Sequence, residues 1–422
     1  MLRSPHVAAS LLVLVSSVLA TAGGCHVIAG IEEKTLNGGG GSDAGSGGEG
    51  GGAVLECKVD PKPSLGCEMV QCPLPMGIEN GCHCGACNRD CGTGIAGCLN
   101  GLCKPKLMVP SLGTNTRIYR AATNGKALYF PHFVDDTPKS KIRAVEFDGT
   151  LSPNHITEVD GYVKVIAADC ERVYFATTRL DSASPPEAVW FVPISGGEAK
   201  PIPEDPAVSV SSVESIVVDK GTLYWTDSRG VGIWPIGSAA ISRIDVSLGF
   251  YAVGLAIRGT DLYWSEAANI SGGNGKIRYA RVESGVAGSF ETLADKAGEP
   301  RQIAVDDNYV YWIDAPTMSA HRIKKIERDP GGNPSIFDLY VTSEDGAGGY
   351  FELSESIAVD DAYVYFIDGV NGEPRTLRLR KNMPMTRDLM ANEPFRENWL
   401  IADDHRLYLV SPSTAQIDWV AK

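Results

Sequence analysis

Short apolar bursts recur along the last three quarters of the chain, and each has the same internal order. Around residues 303–314, the run Ile303-Ala304-Val305 gives way to Asp306-Asp307 and then to Val310-Tyr311-Trp312-Ile313. The first run is too short for a helix and has β-branched residues at its ends, so it reads as a strand buried on both faces. The acidic pair ends it, because the short Asp side chain bonds nearby backbone amides and favours a turn. The aromatic and β-branched run that follows suits a second strand. Each unit is therefore a strand, a tight turn and a strand.

Six further segments align on Tyr311 without a gap, centred on Tyr129, Tyr174, Tyr224, Tyr263, Tyr365 and Tyr408. The turn position of Asp306 holds Asn124, Asp169, Asp219, Asp360 and Asp403; only Arg258 departs, and there Gly259 supplies the flexible turn residue. The position after the tyrosine holds Phe130, Phe175, Trp225, Trp264, Phe366 and Leu409, as face-to-face packing of neighbouring sheets requires. A third, alternating segment follows each hairpin, for example KIRAVEF from 141, KIRYARV from 276 and HRIKKIE from 321; alternation leaves one face wet or near an edge. The tyrosines stand 39 to 54 residues apart, a period typical of four-stranded propeller blades. Seven repeats predict an all-β, seven-bladed β-propeller over residues 105–422. The last repeat stops one strand short at Lys422, while Lys106-Leu107-Met108-Val109 stands unassigned ahead of the first. We expect that piece to be the outer strand of the last blade, closing the ring and removing exposed edges.

The chain ahead of the repeats divides into three parts. Residues 1–24 have a basic start, Arg3 and His6, and an apolar run from Val7 to Ala20 too short to span a bilayer, which reads as a signal peptide. Two cleavage sites compete. Ala20-Thr21-Ala22 would release a soluble chain at Gly23, whereas Ala22-Gly23-Gly24-Cys25 resembles a lipobox in which Cys25 is lipidated. The Gly-rich stretch that follows, within residues 25–53, is a flexible tether, and this favours the lipid anchor at Cys25. His26 after it suggests, by resemblance to Gram-negative lipoproteins, sorting to the outer membrane; release as a secreted or periplasmic soluble protein is the alternative.

Residues 54–104 form a small disulfide-rich module with nine cysteines, Cys57, Cys67, Cys72, Cys82, Cys84, Cys87, Cys91, Cys98 and Cys103, and little core material. In an exported chain this reads as a disulfide framework. The competing reading is a zinc site at Cys82-His83-Cys84 with Cys87 and Cys91, which an oxidising compartment disfavours. With Cys25 lipidated, ten cysteines remain, and the tenth is Cys170, at the tip of the first turn of blade 2. It either pairs with a module cysteine and clamps the module to that face, or is an unpaired thiol.

The formal net charge is −14 and the basic residues are scattered, which excludes the basic patch that nucleic acid needs. No apolar run after residue 24 reaches spanning length, so membrane attachment rests on the lipid alone. Propellers place function at the channel mouth, where the chain enters each innermost strand. The corresponding ring is Tyr119, Lys164, Glu214, Val253, Arg301, Glu355 and Asn398. All but Val253 are ligand-binding candidates. The alternative role is ionic: Lys164 with Glu214 and Arg301 with Glu355 belong to neighbouring blades and could simply tie them together. His132, His155, His321 and His405 do not share a repeat position at the mouth, and no HExxH, GxSxG or phosphate loop occurs. The pairs Asp306-Asp307, Asp360-Asp361 and Asp403-Asp404 lack calcium-loop spacing and read as turn chemistry. No cofactor and no catalytic residue follows from the sequence.

The segments Leu223–Asp227 (LYWTD), LYWSE, VYWID and VYFID resemble the YWTD-type propellers of low-density-lipoprotein-receptor relatives, which have six blades. Lipobox, Gly-rich tether, Cys-rich knot and YWTD-like repeats together resemble predicted lipoproteins of Gram-negative bacteria. That resemblance implies location and fold and no activity. The function expected is a non-catalytic binding or scaffold module for a protein, peptide or glycan at the channel mouth. The alternatives are a propeller enzyme of lactonase or lyase type and a purely structural envelope protein.

Overall fold

The computed structural model describes residues 98–99, 102–103 and, from 105 to 422, all but 114, 135–136, 138, 179–186, 204–209, 269–273, 284, 318–319, 329–334, 342–355, 371–372, 383–386, 390–398, 404–405 and 413. Within them the repeats fold into seven antiparallel sheets arranged as the blades of a propeller, as the repeat count predicts. Blade 5 shows the plan: Pro300–Val305, Tyr309–Thr317, Ala320–Glu327 and Phe337–Val341 pair in sequence order. Blade 1 departs from it, because its innermost strand is split into Thr116–Arg117 and Ala122–Thr123, both paired with Ala127–Val134. Blade 7 takes Trp399–Ala402, Arg406–Ser411 and Gln416–Ala421 from the end of the chain and Lys106–Val109 from its beginning. Cys98–Leu99 and Leu102–Cys103 form a separate hairpin.

The core lies between blades. Alternation along a strand sends Tyr311 to one face and Trp312 to the other, and the packing clusters show what each meets. Tyr311 packs with Phe366 of blade 6, and Trp312 with Tyr263 of blade 4. The same pairing joins Tyr129 to Phe175, Tyr174 to Trp225, Tyr224 to Trp264 and Tyr365 to Leu409. Tyr408 with Phe130 carries it from the last blade back to the first. The tyrosine and its neighbour are thus the two halves of an inter-blade contact repeated around the ring.

The turn carboxylates are fully engaged. Asp306 Oδ1 accepts the backbone N–H groups of Asn308 and Tyr309, and Oδ2 accepts the Tyr311 hydroxyl at 2.8 Å and the Lys381 ammonium of the next blade. Asp360 repeats the pattern with Ala362, Tyr363, Tyr365 and Lys422. Asp169 and Asp403 likewise accept from Tyr174 and Tyr408. Burial alone would raise the Asp306 carboxyl, but the Lys381 ammonium and the Tyr311 hydroxyl outweigh it and hold the group below its ordinary value. Asp306, Asp360 and Asp403, the first members of the pairs, are therefore turn residues, and Asp306 and Asp360 also lock neighbouring blades. Replacing Tyr311 by Phe is expected to lower stability by about 1–2 kcal/mol, the cost of removing a buried hydrogen bond to a charged partner. Urea midpoints check this; an unchanged midpoint would show the bond to be idle.

Hydroxyls on the strands bolt neighbouring blades together. Ser140 Oγ donates to the Gly161 carbonyl and accepts the Val163 N–H, joining blades 1 and 2. Thr226 donates to the Val253 carbonyl and Ser265 to that of Arg301, both at 2.6 Å, and Ser356 both donates to and accepts from the Leu400 backbone. At the junction of blades 4 and 5 the approach is close enough that a Cβ on Gly254 would lie 2.6 Å from the Arg301 carbonyl oxygen.

Candidate functional site: the channel mouth

The mouth residues sit where the chain enters the innermost strands, and the ring is only partly ionic. Lys164 of blade 2 and Glu214 of blade 3 meet at 2.6 Å, with Lys164 41% exposed and Glu214 23%. At such exposure the pair is worth at most about 1 kcal/mol. Tyr119 is half-buried and stacks on Phe133 with ring centroids 5.2 Å apart, and Phe133 meets Tyr162 edge-on. Arg301 donates to the Tyr251 hydroxyl at 3.3 Å and approaches Glu299 at 4.0 Å. Glu355 and Asn398 lie outside the described residues, and with them the expected Arg301–Glu355 pair.

One residue further along each inner strand lies a second ring that the sequence reading passed over. Arg120, Ser215, Gln302, Ser356 and Trp399 line a central cavity of about 40 Å³, walled by inner strands of six of the seven blades. That volume accommodates about three waters. Arg120 is 8% exposed. Its guanidinium lies 4.0 Å from the centre of the Trp399 ring, and one N–H crosses the channel to the Glu214 carbonyl at 2.7 Å. One side chain of blade 1 thereby touches blades 3 and 7. Glu214 links the two layers, since its carboxylate takes Lys164 above and its carbonyl takes Arg120 below. Gln302 is 3% exposed, and its amide nitrogen has no hydrogen-bond partner. The signal for this ring was in the repeat alignment: the column reads Arg120, Val165, Ser215, Gly254, Gln302, Ser356 and Trp399, far too polar for a strand buried on both faces.

Elsewhere, Cys170 occupies the tip of the first turn of blade 2 and is half-buried rather than exposed. Cys25 and the module cysteines Cys57, Cys67, Cys72, Cys82, Cys84, Cys87 and Cys91 lie outside the described residues. Among the described residues no three His, Cys, Asp or Glu side chains converge as metal ligands. His321 is buried and His155 exposed.

Fold and channel define a seven-bladed β-propeller. No protein-family model matches the chain, and no curated protein matches it. Solved propellers do. YCF48 from Cyanidioschyzon merolae aligns over 75% of this chain and 98% of its own, with TM-score 0.51 and 10% identity. The propeller domain of the Trilobed protease from Pyrococcus furiosus aligns over 72% and 96%, with TM-score 0.50 and 10% identity. A puromycin-hydrolyzing peptidase from Mycobacterium tuberculosis aligns over 70% of this chain, with TM-score 0.50 and 15% identity; the chain spans about half of that protein, 48%. At these identities the likeness concerns fold alone. The Pyrococcus domain is described as having an open velcro topology, whereas here the strand Lys106–Val109 closes the ring.

Proposed function

We propose that this propeller is a non-catalytic binding or scaffold module that engages a protein, peptide or glycan at the channel mouth. We place it in the cell envelope, exported by residues 1–24 and held at the outer membrane by a lipid on Cys25. The observation that carries the binding reading is the channel itself. Sites that enclose a small molecule run to roughly 300–1,000 Å³, whereas the central cavity that Arg120 lines among the described residues measures about 40 Å³. A partner therefore has to be met on the face, where Tyr119, Lys164 and Glu214 are partly exposed. The same proposal has the Cys-rich module clamped to the opposite face through Cys170. In support, the Cys170 sulfur is disulfide-bonded. Lys106 lies level with Trp419, close to the turn at Arg406, so the closing strand begins on the face that carries the turns.

A photo-crosslinking amino acid at 119 or 164, in the chain expressed in its own envelope, tests the reading. We expect adducts of one defined partner from both mouth positions and none from Asn308 on the turn face. Adducts from Asn308 alone, or turnover of lactone or peptide substrates that is lost with the mouth residues, would replace this reading with another.

A further inference from the structure

We infer that the cavity beneath the mouth is a carboxylate site, which receives the terminal or side-chain carboxylate of a peptide segment docked on that face. The inference rests on the proposed mouth-docking function and names the group such a partner has to carry.

Three observations point to this chemistry. The Gln302 amide nitrogen is buried without a partner while its side chain lines the cavity. A buried donor left unsatisfied costs about 1–3 kcal/mol, so it calls for an acceptor. Arg120 lines the same cavity with its planar guanidinium desolvated against Trp399 and fixed through Glu214. A guanidinium held rigid in a low-dielectric setting favours an anionic guest over a neutral carbonyl. The volume decides between anions, because space for about three waters admits a carboxylate head, whereas a tetrahedral phosphate brings more oxygens than that space takes. A cation is disfavoured by Arg120 and by an amide that offers protons. Ser215 lines the cavity as well, and its hydroxyl suits the same acceptor-rich guest.

The chain has only three glutamines, Gln71, Gln302 and Gln416, so side-chain nitrogen labelling of glutamine in the full-length protein gives three amide signals, and Gln302→Leu assigns the one at the cavity. The probes are sodium acetate, with sodium chloride as ionic control, and three pentapeptides of Gly, Ser and Ala: one with a free carboxyl terminus, its amidated twin, and an amidated twin with a central Glu. We expect the Gln302 signal alone to move saturably with acetate and with at least one carboxylate-bearing peptide, and to ignore the plain amide. Which peptide acts tells a terminal from a side-chain carboxylate. Arg120→Met should weaken acetate binding at least tenfold, and Arg120→Lys less. Gln302→Met, which replaces the orphan amide by an apolar chain of similar size, should raise the unfolding midpoint while weakening peptide binding in calorimetry; a purely structural glutamine would not oppose stability to affinity in this way. A Gln302 signal that stays still, or moves linearly and equally in Arg120→Met, overturns the inference. A response to acetate with none to either carboxylate peptide overturns the peptide occupant. If Tyr119 and Lys164 crosslink a partner while Gln302 stays silent, docking at the mouth stands and the carboxylate site falls.

Discussion

Removing the closing strand should destabilise the propeller more than any single side-chain change in it. A chain that starts at Pro110 loses Lys106–Val109 from blade 7 and with it Met108, 3% exposed, and Val109, 0% exposed. Burial of each such side chain is worth about 1.5–3 kcal/mol, and the strand-to-strand hydrogen bonds add about 1 kcal/mol apiece. The expected loss is about 5 kcal/mol, comparable with the whole net stability of many domains. It also bares the edge of Gln416–Ala421, a template for pairing with other chains, so soluble oligomers should appear in light scattering. Because the truncation removes the Cys-rich module too, Val109→Asp in the full chain is the companion variant; it leaves the module in place and puts a charge into the Tyr408 and Phe130 cluster. Unfolding midpoints within error of the parent for both variants would mean the ring does not depend on its clasp.

That closure was legible because repeats can be counted: the last unit lacked a strand and an apolar tetrad was left over. The inter-blade core was legible for the same reason, since a tyrosine and a large neighbour recur at one fixed place and strand alternation dictates that they face opposite ways. The candidate site was only half legible. The alignment located the mouth and brought Lys164 to Glu214, but it chose the column by position. The adjacent column, with Arg120 and Gln302, is polar but carried no motif. What makes Arg120 important is that it reaches over the channel from blade 1 to blade 3, and a distance across the ring axis has no counterpart in sequence separation. The split inner strand of blade 1 was hidden for a related reason, since its repeat aligns as well as the others around Tyr129 and departs only ahead of the hairpin.

A second departure hidden by that alignment predicts an acid-sensitive step in stability. Three residues after the repeat tyrosine, blades 3 to 6 carry Asp227, Glu266, Asp314 and Asp368. The first three meet Arg243, Arg278 and Lys324, and Asp368 accepts the Tyr340 hydroxyl. Blade 1 has His132 instead, 7% exposed, beside the cations Arg143 and Lys141 of the next strand. Both ring nitrogens and the Arg143 Nε are left without partners. Burial, then the charges of Arg143 and Lys141, lowers the His132 pKa from 6.5 to about 4. The folded value lies below the unfolded one, so the unfolded chain takes up a proton first as the pH falls. Stability is therefore intact above pH 6.5, declines between 6.5 and about 4, and changes no further through this group below that. The gap corresponds to about 3 kcal/mol. Asp306 and Asp360, held below 3.8, release their stabilisation only under more acid conditions, so the two effects separate. Urea midpoints at successive pH values should show the parent losing about 3 kcal/mol relative to His132→Leu across this window. His132→Asp, which gives Arg143 the carboxylate its counterparts have, should keep the sign of the slope but move the step to lower pH, with stability gained as the pH rises through the carboxylate range. If the imidazole titrates near 6.5 in the folded protein, or if the parent and His132→Leu curves run parallel, the cation pocket of blade 1 has found a partner and the pH step disappears with it.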